Sequence, residues 1–263
     1  QNVAVGSNAL GAGITATNNV AVGRSSMAST LGSENVAVGV NTLALNQGGS
    51  HSVAIGSAAL TAQNPASGNV DFYNTAVGSK AGTSVTTGVE NTLLGGLSGD
   101  ALTDADFNTA VGYSALTADT LGSRSVAVGT AALQAQNFTT ATDSNNTAVG
   151  FSAGKAITTG QSNVLVGSGA GDALTDADAN VAVGKSALGA DTLGSTSTAI
   201  GRGALKVQNF TTATNVYNTA VGAFAGEAVT TGVQNTLIGG LAGTAMTTGI
   251  NNVLVGALSG DVL

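Results

Sequence analysis

The chain has 263 residues, 43% apolar, 3% aromatic and 8% charged, with 39 glycines, one proline and no cysteine. That apolar share excludes a disordered chain, the absence of cysteine excludes disulfide and thiolate chemistry, and no apolar run approaches the roughly 20 residues of a membrane span. A formal charge of −7 with only 7 Lys+Arg argues against nucleic acid, which demands basic clusters, and glycine does not recur at every third place as collagen requires.

In chain order, one five-residue phrase recurs: Asn or Ser, Val or Thr, Ala or Leu, an aliphatic residue, then Gly. It begins at Asn2-Val3-Ala4-Val5-Gly6 and closes at Gly6, Gly23, Gly39, Gly56, Gly78, Gly95, Gly112, Gly129, Gly150, Gly167, Gly184, Gly201, Gly222, Gly239 and Gly256. A fixed period of this length marks a stacked repeat architecture. The phrase alternates with period 2 and ends on β-branched residues except at Leu94, so each copy predicts a short strand. No charge occupies the phrase, which predicts that both strand faces are covered, one inside the coil and one against a neighbour.

A longer period lies over the first. Gly6, Gly78, Gly150 and Gly222 stand 72 residues apart, so four-coil blocks begin near 2, 74, 146 and 218, the last incomplete. Within a block the first coil carries Thr-Thr-Gly (Thr86-Thr87-Gly88), and the second runs into an acidic phrase. The third reads Asp119-Thr120-Leu121-Gly122. The fourth is led by Ser (Ser52, Ser125, Ser197) and carries four or five extra residues. Four residues after the closing glycine stands Leu or Met in some coils and Gly in others. The coils with Leu93, Leu165, Leu237 and Leu254 inside the phrase carry Gly99, Gly171, Gly243 and Gly260 there. A filled interior of fixed cross-section predicts such an exchange of volume, although Ala76 and Gly82 break it. The leading Asn has two readings: a ladder of stacked amides, or turn chemistry in which Asn tolerates left-handed backbone. The predicted fold is therefore all-β, a parallel β-roll or β-solenoid of about fifteen 16–22-residue coils, in one repeat domain over 1–263. At the strand spacing of a sheet, fifteen coils rise roughly 70 Å.

His51-Ser52-Val53-Ala54-Ile55-Gly56 resembles the head repeats of YadA-like trimeric autotransporter adhesins. Asn108-Thr109-Ala110-Val111-Gly112-Tyr113-Ser114-Ala115-Leu116 resembles repeats of phage tail-fibre and tail-spike proteins even more closely. The resemblance covers the whole chain. It implies a homotrimeric extracellular fibre, on a virion tail or a bacterial cell surface, and it carries no catalytic residue. The repeats are longer than those of adhesin heads, and no heptad stalk or membrane anchor follows, so the chain reads as a segment of a longer fibre or one whose ends stack on other subunits.

The sequence offers few candidates for chemistry. His51 is the only histidine, so neither a zinc site nor a Ser-His-Asp arrangement is expected, and it reads as a turn residue. The acidic phrase supplies Asp100, Asp104 and Asp106, repeated as Asp172, Asp176 and Asp178. These are solvated turn residues, weak calcium ligands, or a carboxylate pair for glycoside hydrolysis. The long fourth coils offer Asn137-Phe138 and Asn209-Phe210 as possible recognition loops, because insertions in solenoids gather on one face; the phenylalanines either contact a sugar or protein partner or tuck under their own loops. Each asparagine also heads an Asn-Phe-Thr glycosylation pattern.

The function expected is a non-enzymatic, cofactor-free structural fibre segment, a tail-fibre shaft or adhesin head, that presents loops to a cell-surface glycan or protein receptor. The alternatives are a self-assembling filament or surface-layer protein, an ice-binding solenoid using Thr75, Thr92, Thr109 and Thr147, and a polysaccharide-degrading tail spike.

Overall fold

A computed structural model of the chain describes residues 1–11, 15–65 and 68–261. The described residues are all-β and stack as a parallel β-solenoid. They divide into two compact units, Gln1–Ser125 with Asn137–Asp143, and Val126–Gln136 with Ser144–Leu263. Seven three-residue strands, from Val3–Val5 to Thr109–Val111, stack in the first unit. Eight, from Val126–Val128 to Val253–Val255, stack in the second.

Register is the same at every step. Val3 pairs with Val20 and Ala4 with Ala21, and in the second unit Val164 pairs with Val181 and Leu165 with Ala182. Each phrase position thus forms a column up its unit. The central Ala or Leu points inward and is fully buried in the inner coils, as at Ala76, Leu93, Ala148 and Leu165, while Ala4 and Leu254 in the end coils are not.

Three columns besides the closing glycines hold the left-handed backbone, mostly with residues other than glycine. They are the residue before the leading Asn, such as Glu90 (φ 55°), the second residue after the closing glycine, such as Ser114 (φ 53°), and the fourth. In the fourth column Leu43, Leu60, Leu116, Leu133, Leu188 and Leu205 sit at φ 47–54°. Left-handed backbone costs an L-residue roughly 1–2 kcal/mol. These leucines are fully buried, and burial returns about 1.5–3 kcal/mol each, so interior filling wins over local strain. The closing glycines obey a different constraint: a Cβ on Gly78 would lie 2.4 Å from the Gly95 carbonyl oxygen, and one on Gly167 2.6 Å from Gly184. Backbone meets backbone there with no room for a side chain.

The exchange of Leu for Gly extends over two coils. Leu93 fills the space beside Gly99 in its own coil, where a Cβ would lie 2.8 Å from its methyl, and beside Gly82 in the coil before, at 2.6 Å. Leu165 does the same for Gly171 and Gly154. The small pair Ala76 and Gly82 is therefore no exception: its volume comes from the next coil's leucine.

The Asn column is a ladder. Asn74 Oδ1 accepts from the Asn91 backbone N–H at 2.8 Å, and Asn74 Nδ2 donates to Gly88 O at 2.7 Å. The pattern continues at Asn91 to Asn108, and in the second unit from Asn146 through Asn163 and Asn180 to Ser197. The left-handed turn falls one residue earlier, so of the two readings of this asparagine the amide ladder is the one realised. Serine is too short to bridge, and a buried glutamine eleven residues on completes each serine-led coil. Gln63 Nε2 donates to Ser52 Oγ at 2.9 Å while its Oε1 accepts from Asn74 Nδ2 at 2.9 Å. Gln208 joins Ser197 to Asn218 in the same way. No buried side-chain nitrogen or oxygen among the described residues lacks a partner, as a solvent-free interior requires.

Candidate functional site

Each unit's main sheet presents an outer face. Residues two apart in a strand share a face, so Val or Thr at the second phrase position and Val, Ile or Leu at the fourth point away from the coil interior. They are half-buried or exposed: Ile55 is 39% exposed, Val77 37%, Ile200 38% and Ile238 40%. The sequence predicts both strand faces covered. Within one chain the coil interior covers one, and the other lies open as parallel aliphatic and Thr/Val columns in strand register.

The six aspartates considered for calcium are spread along the coils, and five of them are tied to neighbouring coils. Asp100 Oδ1 accepts from Thr117 Oγ1 at 2.6 Å. Asp104 accepts from the Thr87 hydroxyl, and Asp176 from that of Thr159. Asp106 Oδ1 accepts from Val89 N at 2.8 Å, and Asp178 Oδ1 from Gln161 N at 2.7 Å. Asp172 is half-buried, and that burial pushes its carboxyl above the usual 3.8, against the opposing pull of its own backbone hydrogen bond and of Lys155. The other five carboxylates act as clips between coils. Among the described residues no group of three or more His, Asp or Glu side chains is placed to hold a metal.

The long fourth coils carry their aromatic rings inward. Phe138 is 4% exposed and Phe210 7%, so of the two readings of these rings the tucked one is realised and neither is presented for contact in one chain. The reason is a buried carboxylate in the coil before. Asp119 Oδ1 accepts from Gly122 N and from Phe138 N, both at 3.0 Å, and Asp191 Oδ1 accepts from Gly194 N and Phe210 N at the same distances. These bonds pull the loop base onto the coil and seat the ring. Short parallel bridges, Gly122–Ser123 with Thr142–Asp143 and Gly194–Ser195 with Thr214–Asn215, rejoin the stack beyond it. Asn137 and Asn209 remain exposed, each amide oxygen accepting from a threonine hydroxyl (Thr120, Thr192) at 3.1 Å.

His51 occupies a left-handed turn at φ 61°. Its ring nitrogens lie 3.0 Å from Glu34 and 3.0 Å from Asp71, and Tyr73 stacks on it with centroids 5.0 Å apart. All four groups belong to the first unit, and they form a polar clamp across three coils.

The sequence matches no protein-family model and no curated protein. What the chain does must be read from these surfaces.

Proposed function

We propose that the chain is a non-enzymatic structural segment of an extracellular fibre, a tail-fibre shaft or adhesin head, in which copies of the chain associate through their outer sheet faces, as a homotrimer. One observation carries this reading: each unit exposes an aliphatic sheet face in unbroken register while its polar interior is fully satisfied. A contiguous exposed apolar face on a folded chain is a contact surface, and covering it with identical columns from other copies removes it from water without new chemistry. The stacked hydrogen-bond ladders supply the stiffness a shaft needs. Loops and coil edges then face outward, where a cell-surface glycan or protein receptor is met.

The mass of the isolated chain in solution by light scattering tests the proposal. Three copies per particle are expected. A monodisperse monomer across the micromolar range would remove the basis for it.

A further inference from the structure

The second unit holds a cleft whose character is opposite to that of the chain. Its lining is Lys185, Ser186, Arg202, Gly203, Lys206 and Phe224, around about 180 Å³. Three of the chain's 7 Lys+Arg meet here, although the net charge is −7. Lys206 is paired with Glu227 at 3.5 Å. Among the described residues neither Lys185 nor Arg202 is ion-paired to a carboxylate.

The fold does not require the cluster. Seventy-two residues earlier the positions of Lys185, Arg202, Lys206 and Phe224 are held by Tyr113, Thr130, Gln134 and Ser152, and those coils stack equally well. Gly203 shows that the cleft is shaped. Its φ of 65° is close to those of Ser186 and Leu241 in the same column, so the backbone alone does not demand glycine. A Cβ there would lie 2.8 Å from Phe224 Cδ1; the missing side chain is the space the ring occupies. The Arg202 guanidinium lies over that ring, 5.0 Å from its centroid. Stacking fixes the guanidinium plane and leaves its in-plane N–H groups free for a bidentate acceptor.

We propose that this cleft binds a saccharide bearing one terminal acidic group, a carboxylate or a sulfate ester. Arg202 forks onto the anionic group, Lys185 from the preceding coil adds its charge, and the Phe224 ring edge packs against the sugar's C–H surface. The volume is smaller than the 300–1,000 Å³ of drug-sized pockets, which limits the occupant to about one sugar unit. A strand with many charges, nucleic acid included, is disfavoured, because the chain as a whole carries a net charge of −7 and offers few other cations to the remaining phosphates. The site draws its six residues from one unit of one chain, so the inference is independent of the number of copies in the particle.

Calorimetric titration of the full chain at low salt, with sodium glucuronate, glucose 6-sulfate, glucose and sodium sulfate as probes, tests it. One or both acidic sugars should bind at one site per chain, more tightly than glucose or sulfate and less tightly as NaCl is added. The tighter of the two identifies the anionic group. Arg202→Lys keeps the charge but loses the fork, and Lys185→Gln loses one charge; each should weaken binding at least about tenfold with an unchanged thermal melt. The proposal is overturned if neither acidic sugar binds, if sulfate alone binds as tightly as both, or if both variants bind like the parent.

Discussion

The amide ladder is where single residues matter most. Asn163 is fully buried, and its backbone N–H donates to Asn146 Oδ1 at 2.9 Å. Its side chain bridges onward, to Asn180 N at 3.0 Å and Ala177 O at 2.8 Å. Asn163→Ala would leave that N–H and that carbonyl without partners in a dry interior, at roughly 1–3 kcal/mol each. A loss of about 2–6 kcal/mol in chemical denaturation is expected; a loss under about 0.5 kcal/mol, the range of ordinary surface substitutions, would show that the ladder is ornamental. Asp172 behaves in the opposite sense. Its carboxyl is raised above 3.8 mainly by burial, so the folded state binds its proton more tightly than the unfolded chain. Its contribution to stability is therefore most favourable below that value and declines as pH rises through the raised pKa. Asp172→Asn should melt at a higher temperature than the parent near pH 7, and the gain should vanish near pH 3. A gain of the same size at both would assign it to something other than charge.

At the scale of one coil, the balance of Leu against Gly sets what the interior accepts. Gly171 has a φ of 54°, and a Cβ there would lie 2.8 Å from methyls of both Leu165 and Leu174. Gly171→Ala adds left-handed strain of roughly 1–2 kcal/mol to overpacking of about 1–3 kcal/mol. A Cβ on Gly240 would meet nothing within 4 Å, so Gly240→Ala should be near neutral. Comparable losses at the two sites, measured by urea denaturation, would contradict the packing account. The repeat phrase, the short strands, the parallel stack and the one-coil Leu–Gly exchange were all legible from residue spacing, because the alternation within the phrase and the recurrence of the phrase are properties of the chain itself. The two-coil reach of Leu93 and Leu165 was not: which coil a side chain leans toward is decided in space. The glutamine that completes each serine-led coil left a sequence signal, Ser followed eleven residues later by Gln at Ser52, Ser125 and Ser197, yet its meaning depends on the ladder. The inward turn of Phe138 and Phe210 was one of two readings open from sequence, and what decides it was hidden, because the anchoring carboxylates, Asp119 and Asp191, lie in the coil before. The basic cleft was hidden in the same way: Lys185, Arg202 and Phe224 are far apart in sequence and adjacent only across coils.

For the whole molecule, the central claim is that the outer sheet face joins copies of the chain. Ile200 and Ile238 lie on that face in the second unit, 38% and 40% exposed. Neither points into the coil, so aspartate at both should leave the fold of one chain intact while placing desolvated charges in any interface, which is strongly unfavourable. Sedimentation velocity of the parent and of the Ile200→Asp, Ile238→Asp double variant, with circular dichroism to check the fold, is the most direct measurement. The account predicts a trimeric parent and a folded variant that sediments as a single chain. A parent that sediments as a monomer, or a folded variant that keeps the parent's mass, would contradict it.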